Sequence, residues 1–176
     1  SKEERFILDC IKGNVESNEN VDFKQVFLKS KKVRLTPLVY NQGIKNNKAD
    51  KKLKEKFKKN YLLNLSKNIL LLTETKKINS ILIKNKIEFL FIKGLLQSIR
   101  IYDNINLRIM NDIDILIRDK KQIVKVSRIL KEEGFYLSKK AHSFLYWKKF
   151  GHHYVYIKKK KGFTIKIDLH WYLFEK

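Results

Sequence analysis

The chain reads as an α+β protein in which a mixed sheet with flanking helices is preceded by an N-terminal helical region. Three observations predict this. Apolar residues recur at helical intervals up to about residue 86. From residue 87 the texture changes to short apolar runs punctuated by glycine. Two of those later runs alternate with the two-residue period of a strand.

The helical part is justified element by element. Phe6, Ile7, Cys10 and Ile11 share a helix face, and Gly13 with Asn14 is a stop. Val21 to Leu28 repeats the pattern behind Asp22 as N-cap. Leu35 to Ile44 holds the only proline, Pro37, and Gly43 punctuates its end. From Ala49 to about Lys86 there is neither glycine nor proline, and Leu53, Phe57, Tyr61, Leu65, Ile69, Leu72 and Ile78 keep a spacing of three to four. The lysines between 51 and 59 fall largely on the other face, a solvated one.

Beyond residue 87, Glu88–Lys93 reads as a buried strand ending at Gly94, followed by a short helix over Leu95–Tyr102. Asp112–Ile117 is a strand. Lys120–Glu133 is a helix with Ile123, Val124, Val126, Ile129 and Leu130 inward, capped by Gly134, and Phe135–Leu137 begins another strand. Tyr154–Lys158 and Phe163–Trp171 read as a hairpin turning at Lys159–Gly162, with the lysines 158–161 forming a solvated tip. The expected division is a helical region over 1–86 and a core over 87–176.

Composition narrows the function classes. A 43% hydrophobic content excludes a disordered basic tail, and no run approaches the roughly 20 apolar residues of a membrane span. A single cysteine, Cys10, fits a reducing, cytoplasmic setting and reads as a small core residue. The net charge of +22 is compatible with a nucleic-acid or other polyanionic partner, but the lysines are spread over the whole chain rather than gathered in one arm.

The chemistry-bearing signal lies in the aspartates. The chain has only eight, and three of them interrupt apolar strands. In N-D-I-D-I-L-I the strand period sets Asp112 and Asp114 on one face and Ile113, Ile115 and Ile117 on the other. In T-I-K-I-D-L-H-W it groups Lys166, Asp168 and His170 in the same way. Side-by-side carboxylates repel and are costly to desolvate, so a strand keeps them only beside a cation. Magnesium suits hard oxygen ligands and leaves positions for phosphates. Upstream, Lys93-Gly94 ends a strand and opens a helix. A glycine there admits a phosphate close to backbone and adopts φ > 0 cheaply, while the helix start offers free N–H groups. Lys93 and Arg108 add positive charge against a triphosphate.

This order resembles the nucleotidyltransferase superfamily that includes DNA polymerase β. It is more similar to a bacterial and archaeal family of uncharacterised nucleotidyltransferases. The matching residues are Lys93-Gly94, Tyr102, Arg108, Asp112-Ile-Asp114-Ile-Leu, Gly134-Phe135 and Asp168-Leu-His170-Trp171, dense over residues 88–172. The resemblance implies a nucleotidyltransferase-like sheet, with Asp112, Asp114 and Asp168 as ligands of two Mg²⁺ ions (Mn²⁺ as a substitute). It also implies that Gly94 starts a phosphate-facing helix. Two departures are visible: the superfamily's usual serine after the glycine is a leucine here, and the family's C-terminal helical region is missing, so a trimmed or minimal member is expected.

The expected function is transfer of NMP from an NTP such as ATP to an acceptor, possible acceptors being RNA or another polyanion, with release of pyrophosphate. His170, beside Asp168, is a candidate to orient a metal-binding carboxylate, or else a structural histidine. His152 and His153 point to opposite faces of a strand and cannot share a metal, which argues against zinc. Two other classes stay open: a non-catalytic basic RNA- or partner-binding module on a transferase scaffold, and a two-metal nuclease. Survival of all three carboxylates argues against the first, and the Lys93-Gly94 helix start against the second.

Overall fold

Local signals set the helices where the chain starts. The structure, a computed structural model, describes residues 1–15, 21–46, 49–94, 104–138 and 153–172. Helix α1 (Lys2–Lys12) is closed at one end by a capping box, Ser1 with Glu4, and at the other by Gly13 at φ 74. Helix α2 (Phe23–Lys32) takes its cap from the Asp22 carboxylate, which accepts from the Lys24 and Gln25 amides. A short α3 (Thr36–Val39) passes into a π-helical turn, Tyr40–Ile44. Gly43 does not end that element but lies inside it. A Cβ there would meet Cys10 Sγ at 2.6 Å and the Phe6 ring at 2.8 Å, so the turn is pressed onto α1. Helix α4 is a single span, Lys51–Lys84.

The chain forms two compact units, Ser1–Ile69 with Ser98–Ile109, and Leu70–Gln97 with Met110–Lys176. The first has a core of Phe6, Cys10, Val26, Phe27, Val39, Ile44 and Phe57. Burial there pushes the Cys10 thiol up to about 12, so it behaves as a small apolar residue. Along α4 the buried stripe is not wholly apolar. Ile69 is exposed, while Asn64 and Asn68 are buried. Their amides donate to the carbonyls of Ile105, Asn106 and Arg108, which fastens a 3₁₀ turn (Ile105–Leu107) to the helix.

The second unit is a five-stranded mixed sheet, the α+β architecture expected. Its strands are β1 (Phe89–Ile92), β2 (Ile113–Ile117), β3 (Tyr136–Leu137), β4 (His153–Lys160) and β5 (Phe163–His170), in the order β1-β2-β5-β4-β3. Pairing is antiparallel except between β2 and β5, which run parallel. The β4–β5 hairpin turns through Lys161 and Gly162, both at positive φ (48 and 77), the two-residue loop whose twist matches its strands. The expected short helix at 95–102 lies outside the described residues, as do Tyr146, Trp147, His142 and His152.

One sheet face is apolar. Ile113, Ile115, Ile117, Ile165, Ile167, Leu169, Tyr154 and Tyr156 are all essentially excluded from solvent. Helix α5 (Ile123–Glu132), led in by a 3₁₀ turn at Lys120–Gln122, buries Ile123, Val126, Ile129 and Leu130. Val124, expected inward, is 46% exposed, because one helix turn brings only Ile123 and the 126–130 ridge to the interior. Lys158 and Lys160 also differ from the solvated tip expected. They reach back to Glu74 of α4, at 3.1 and 2.5 Å, and Glu74 is 1% exposed. Among the described residues, no helix is long and apolar enough to cross a membrane.

Burial by itself would raise the Glu74 carboxyl, but the bonds from Lys160 and Lys158 outweigh it and hold the pKa below its ordinary value. A carboxyl depressed on folding contributes stability above its unfolded pKa and loses it as pH falls through the folded value. Glu74→Gln should therefore destabilise the chain by about 3 kcal/mol at pH 7. In denaturant titrations the gap to the parent chain should narrow below about pH 4, where the carboxyl is protonated in the unfolded state.

Candidate active site

The parallel register of β2 and β5 sets Asp114 directly beside Asp168, with Ile113 beside Ile167 and Leu116 beside His170. Since side chains alternate along a strand, Asp114, Lys166, Asp168 and His170 emerge on the face opposite the isoleucines. Asp114 and Asp168 are 5% and 8% exposed, and His170 is 5% exposed. Single ligand atoms from these three lie within 4.8 Å of one another, close enough to hold one metal ion.

Each carboxylate has a cation near it. Lys93 Nζ lies 2.9 Å from Asp114 Oδ1, and His170 Nε2 lies 3.0 Å from the same oxygen. An ionised carboxylate only accepts, so Nε2 of His170 carries the hydrogen. Burial tends to raise the Asp114 carboxyl, yet the bonds from His170 and Lys93 prevail and hold it below the ordinary range. Lys166 Nζ lies 2.8 Å from Asp168 Oδ2 and 3.6 Å from Asp112 Oδ2, which puts Asp112 on the same side of the sheet. The second oxygen of Asp168, Oδ1, is buried and has no hydrogen-bond partner among the described residues. A buried carboxylate oxygen without a donor is rare, and a hard cation is the chemistry that fits it.

The turn after β1 supplies Lys93. Positive φ was expected at Gly94, but at this turn it is Lys93 that adopts it, at φ 54, a conformation unusual for a residue with a Cβ. Gly94 itself is already helical. At the Glu88–Arg118 end of the β1–β2 pair, Leu90, Leu116, Ile117, Trp171 and Tyr172 line an open hollow of about 480 Å³.

Of the residues singled out in the sequence, Asp112, Asp114, Asp168, His170 and Lys93 are brought together. Arg108 belongs to the other unit. Two residues acquire partners that strand period alone does not show. Lys166 lies on the face the alternation predicts, but its contact with two carboxylates depends on the register. His153 cannot share a metal with His152, yet it pairs with His170 across β4–β5, with ring centroids 5.1 Å apart. The turn decides this pairing: the sequence suggests a turn over Lys159–Gly162, whereas the two-residue turn at Lys161–Gly162 makes 153 and 170 partners.

The chain matches the model of a family described as uncharacterised nucleotidyltransferase over residues 19–176. No curated protein and no solved structure gives a significant match.

The geometry also reverses a simple expectation from repulsion. If the like charges of Asp114 and Asp168 dominated, neutralising Asp114 would stabilise the fold. With Lys93 and His170 bound to it, Asp114→Asn should instead lower stability by about 1–2 kcal/mol when divalent cations are removed by chelation. Denaturant midpoints of the two chains at pH 7 give the sign.

Proposed function

The chain belongs to the uncharacterised nucleotidyltransferase family, and from the site it carries we propose that it transfers NMP from an NTP to an acceptor hydroxyl or phosphate, releasing pyrophosphate. The observation that carries this reading is the pairing of Asp114 with Asp168 on parallel neighbours, with Asp168 Oδ1 buried and unpartnered among the described residues. Three carboxylates on one sheet face suit two divalent cations. Magnesium, with manganese as substitute, would when bound neutralise phosphate charge and lower the pKa of the attacking oxygen.

The residues divide the remaining work. Asp112, Asp114 and Asp168 hold the cations, and Asp168 orients the attacking acceptor oxygen. His170 donates from Nε2 to Asp114 Oδ1, which fixes the carboxylate's rotation and leaves its other oxygen for a ligand. While Nε2 donates to Asp114, His170 serves as an orienting group rather than as a ligand. Lys93 stands just before Gly94, from where its ammonium can pass from Asp114 to the triphosphate. Arg108 is assigned to the triphosphate from its place in the motif alone. The high positive charge, +22, favours a polyanionic acceptor such as RNA.

A screen of the four NTPs with Mg²⁺ or Mn²⁺ against RNA, sugar phosphates and protein acceptors tests the reading by pyrophosphate release. Asp114→Asn and Asp168→Asn should each reduce turnover by about 10³-fold or more. Lys93→Ala should weaken NTP binding by about 1–3 kcal/mol, and Gly94→Val more severely. Both effects should shrink when a monophosphate replaces the triphosphate. Phosphodiester cleavage without nucleotide incorporation would establish the nuclease instead, and RNA binding without either reaction the non-catalytic module.

A further inference from the structure

Lys166 bridges two of the three carboxylates. Its ammonium is 2.8 Å from Asp168 and 3.6 Å from Asp112, so it stands between the groups expected to share a cation. A divalent ion bound by both aspartates and an ammonium held at the same oxygens repel strongly at such separations. The lysine also leaves the site incomplete, because Asp168 Oδ1 stays buried and without a donor while Oδ2 is engaged. The Lys166 side chain is 36% exposed, so the ammonium has solvent to move into. Its stem is long and flexible, and an ammonium with three rotatable donors binds phosphate as a point charge.

We propose that Lys166 is an exchangeable counter-ion. It neutralises Asp112 and Asp168 while the site lacks metal, is displaced when a divalent cation takes those carboxylates, and then binds the phosphates of the incoming nucleotide. No covalent bond is made or broken in the exchange. The inference rests on the nucleotidyltransferase reading and adds a consequence to it. Metal alone must displace an ion pair, whereas metal with a polyphosphate gives the displaced ammonium a new partner. The two ligands are thereby coupled through one side chain. A permanent structural ion pair would produce no such coupling.

The test uses the full chain with Lys166→Met, Lys166→Gln and Lys166→Arg. Mn²⁺ alone is titrated by calorimetry, followed by tripolyphosphate at saturating Mn²⁺, a probe that avoids any preference for a base. Lys166→Met should bind Mn²⁺ alone more tightly and tripolyphosphate more weakly, each by about fivefold or more. Lys166→Arg, which keeps the charge, should stay within about twofold of the parent for Mn²⁺. Should Lys166→Met fail to fold by circular dichroism, Lys166→Gln carries the same comparison. Two shifts of the same sign, or no shift in either, would overturn the exchange while leaving the nucleotidyltransferase reading intact. A parent chain that binds neither Mn²⁺ nor tripolyphosphate would remove that reading and the exchange together.

Discussion

In the sheet unit the last strand of the chain, β5, enters the middle of the sheet parallel to β2, and this insertion sets Asp114 against Asp168. Two largely buried carboxylates at neighbouring positions cost several kcal/mol unless cations answer them. Much of the surrounding chemistry follows from that constraint. Lys93 takes a left-handed backbone conformation at the end of β1, from which its ammonium meets Asp114. His170 meets the same oxygen from one step further along β5, and Lys166 meets Asp168 from one step before it. A strain and three polar side chains are thus arranged around one ladder position.

The opposite face of the same strands shows what allows this. Isoleucines from β2 and β5, with Tyr154 and Tyr156 from β4, form a water-excluded surface whose burial outweighs the electrostatic cost on the acid side. A second ionic arrangement lies on that face, where Glu74 receives Lys158 and Lys160. The two clusters differ in one respect that matters for function. Glu74 has both oxygens engaged, whereas Asp168 keeps one oxygen buried and without a donor. Full satisfaction suits structure, and incomplete satisfaction suits a ligand.

In the other unit, helix α4 buries amides where an amphipathic pattern calls for apolar residues. Asn64 and Asn68 hold the carbonyls of a 3₁₀ turn that would otherwise be left without donors. Hydrophobic periodicity cannot find such positions, since a polar residue with an internal partner looks like a solvent-facing one. The same blindness explains Lys158 and Lys160, which a composition-based reading sends to solvent and the fold pairs with a buried glutamate.

The sequence by itself determined the elements and the identity of the acids. Caps at Asp22 and Gly13, the two-residue alternation around Asp114 and Asp168, and a glycine at the hairpin turn all act within a few residues. Local sterics and hydrogen bonding decide them. The motif order across Lys93, Asp112, Asp114, Asp168 and His170 was likewise legible, because each sits in a short pattern. What only the tertiary structure decided is which groups meet. That Asp168 faces Asp114 depends on strand order and register. So does the contact of Lys166 with Asp112 and Asp168, and the pairing of His153 with His170. Strand period reveals which face a residue takes but not which strand lies beside it. Neighbours are selected by burying the whole apolar surface at once, a long-range energy that no single segment contains.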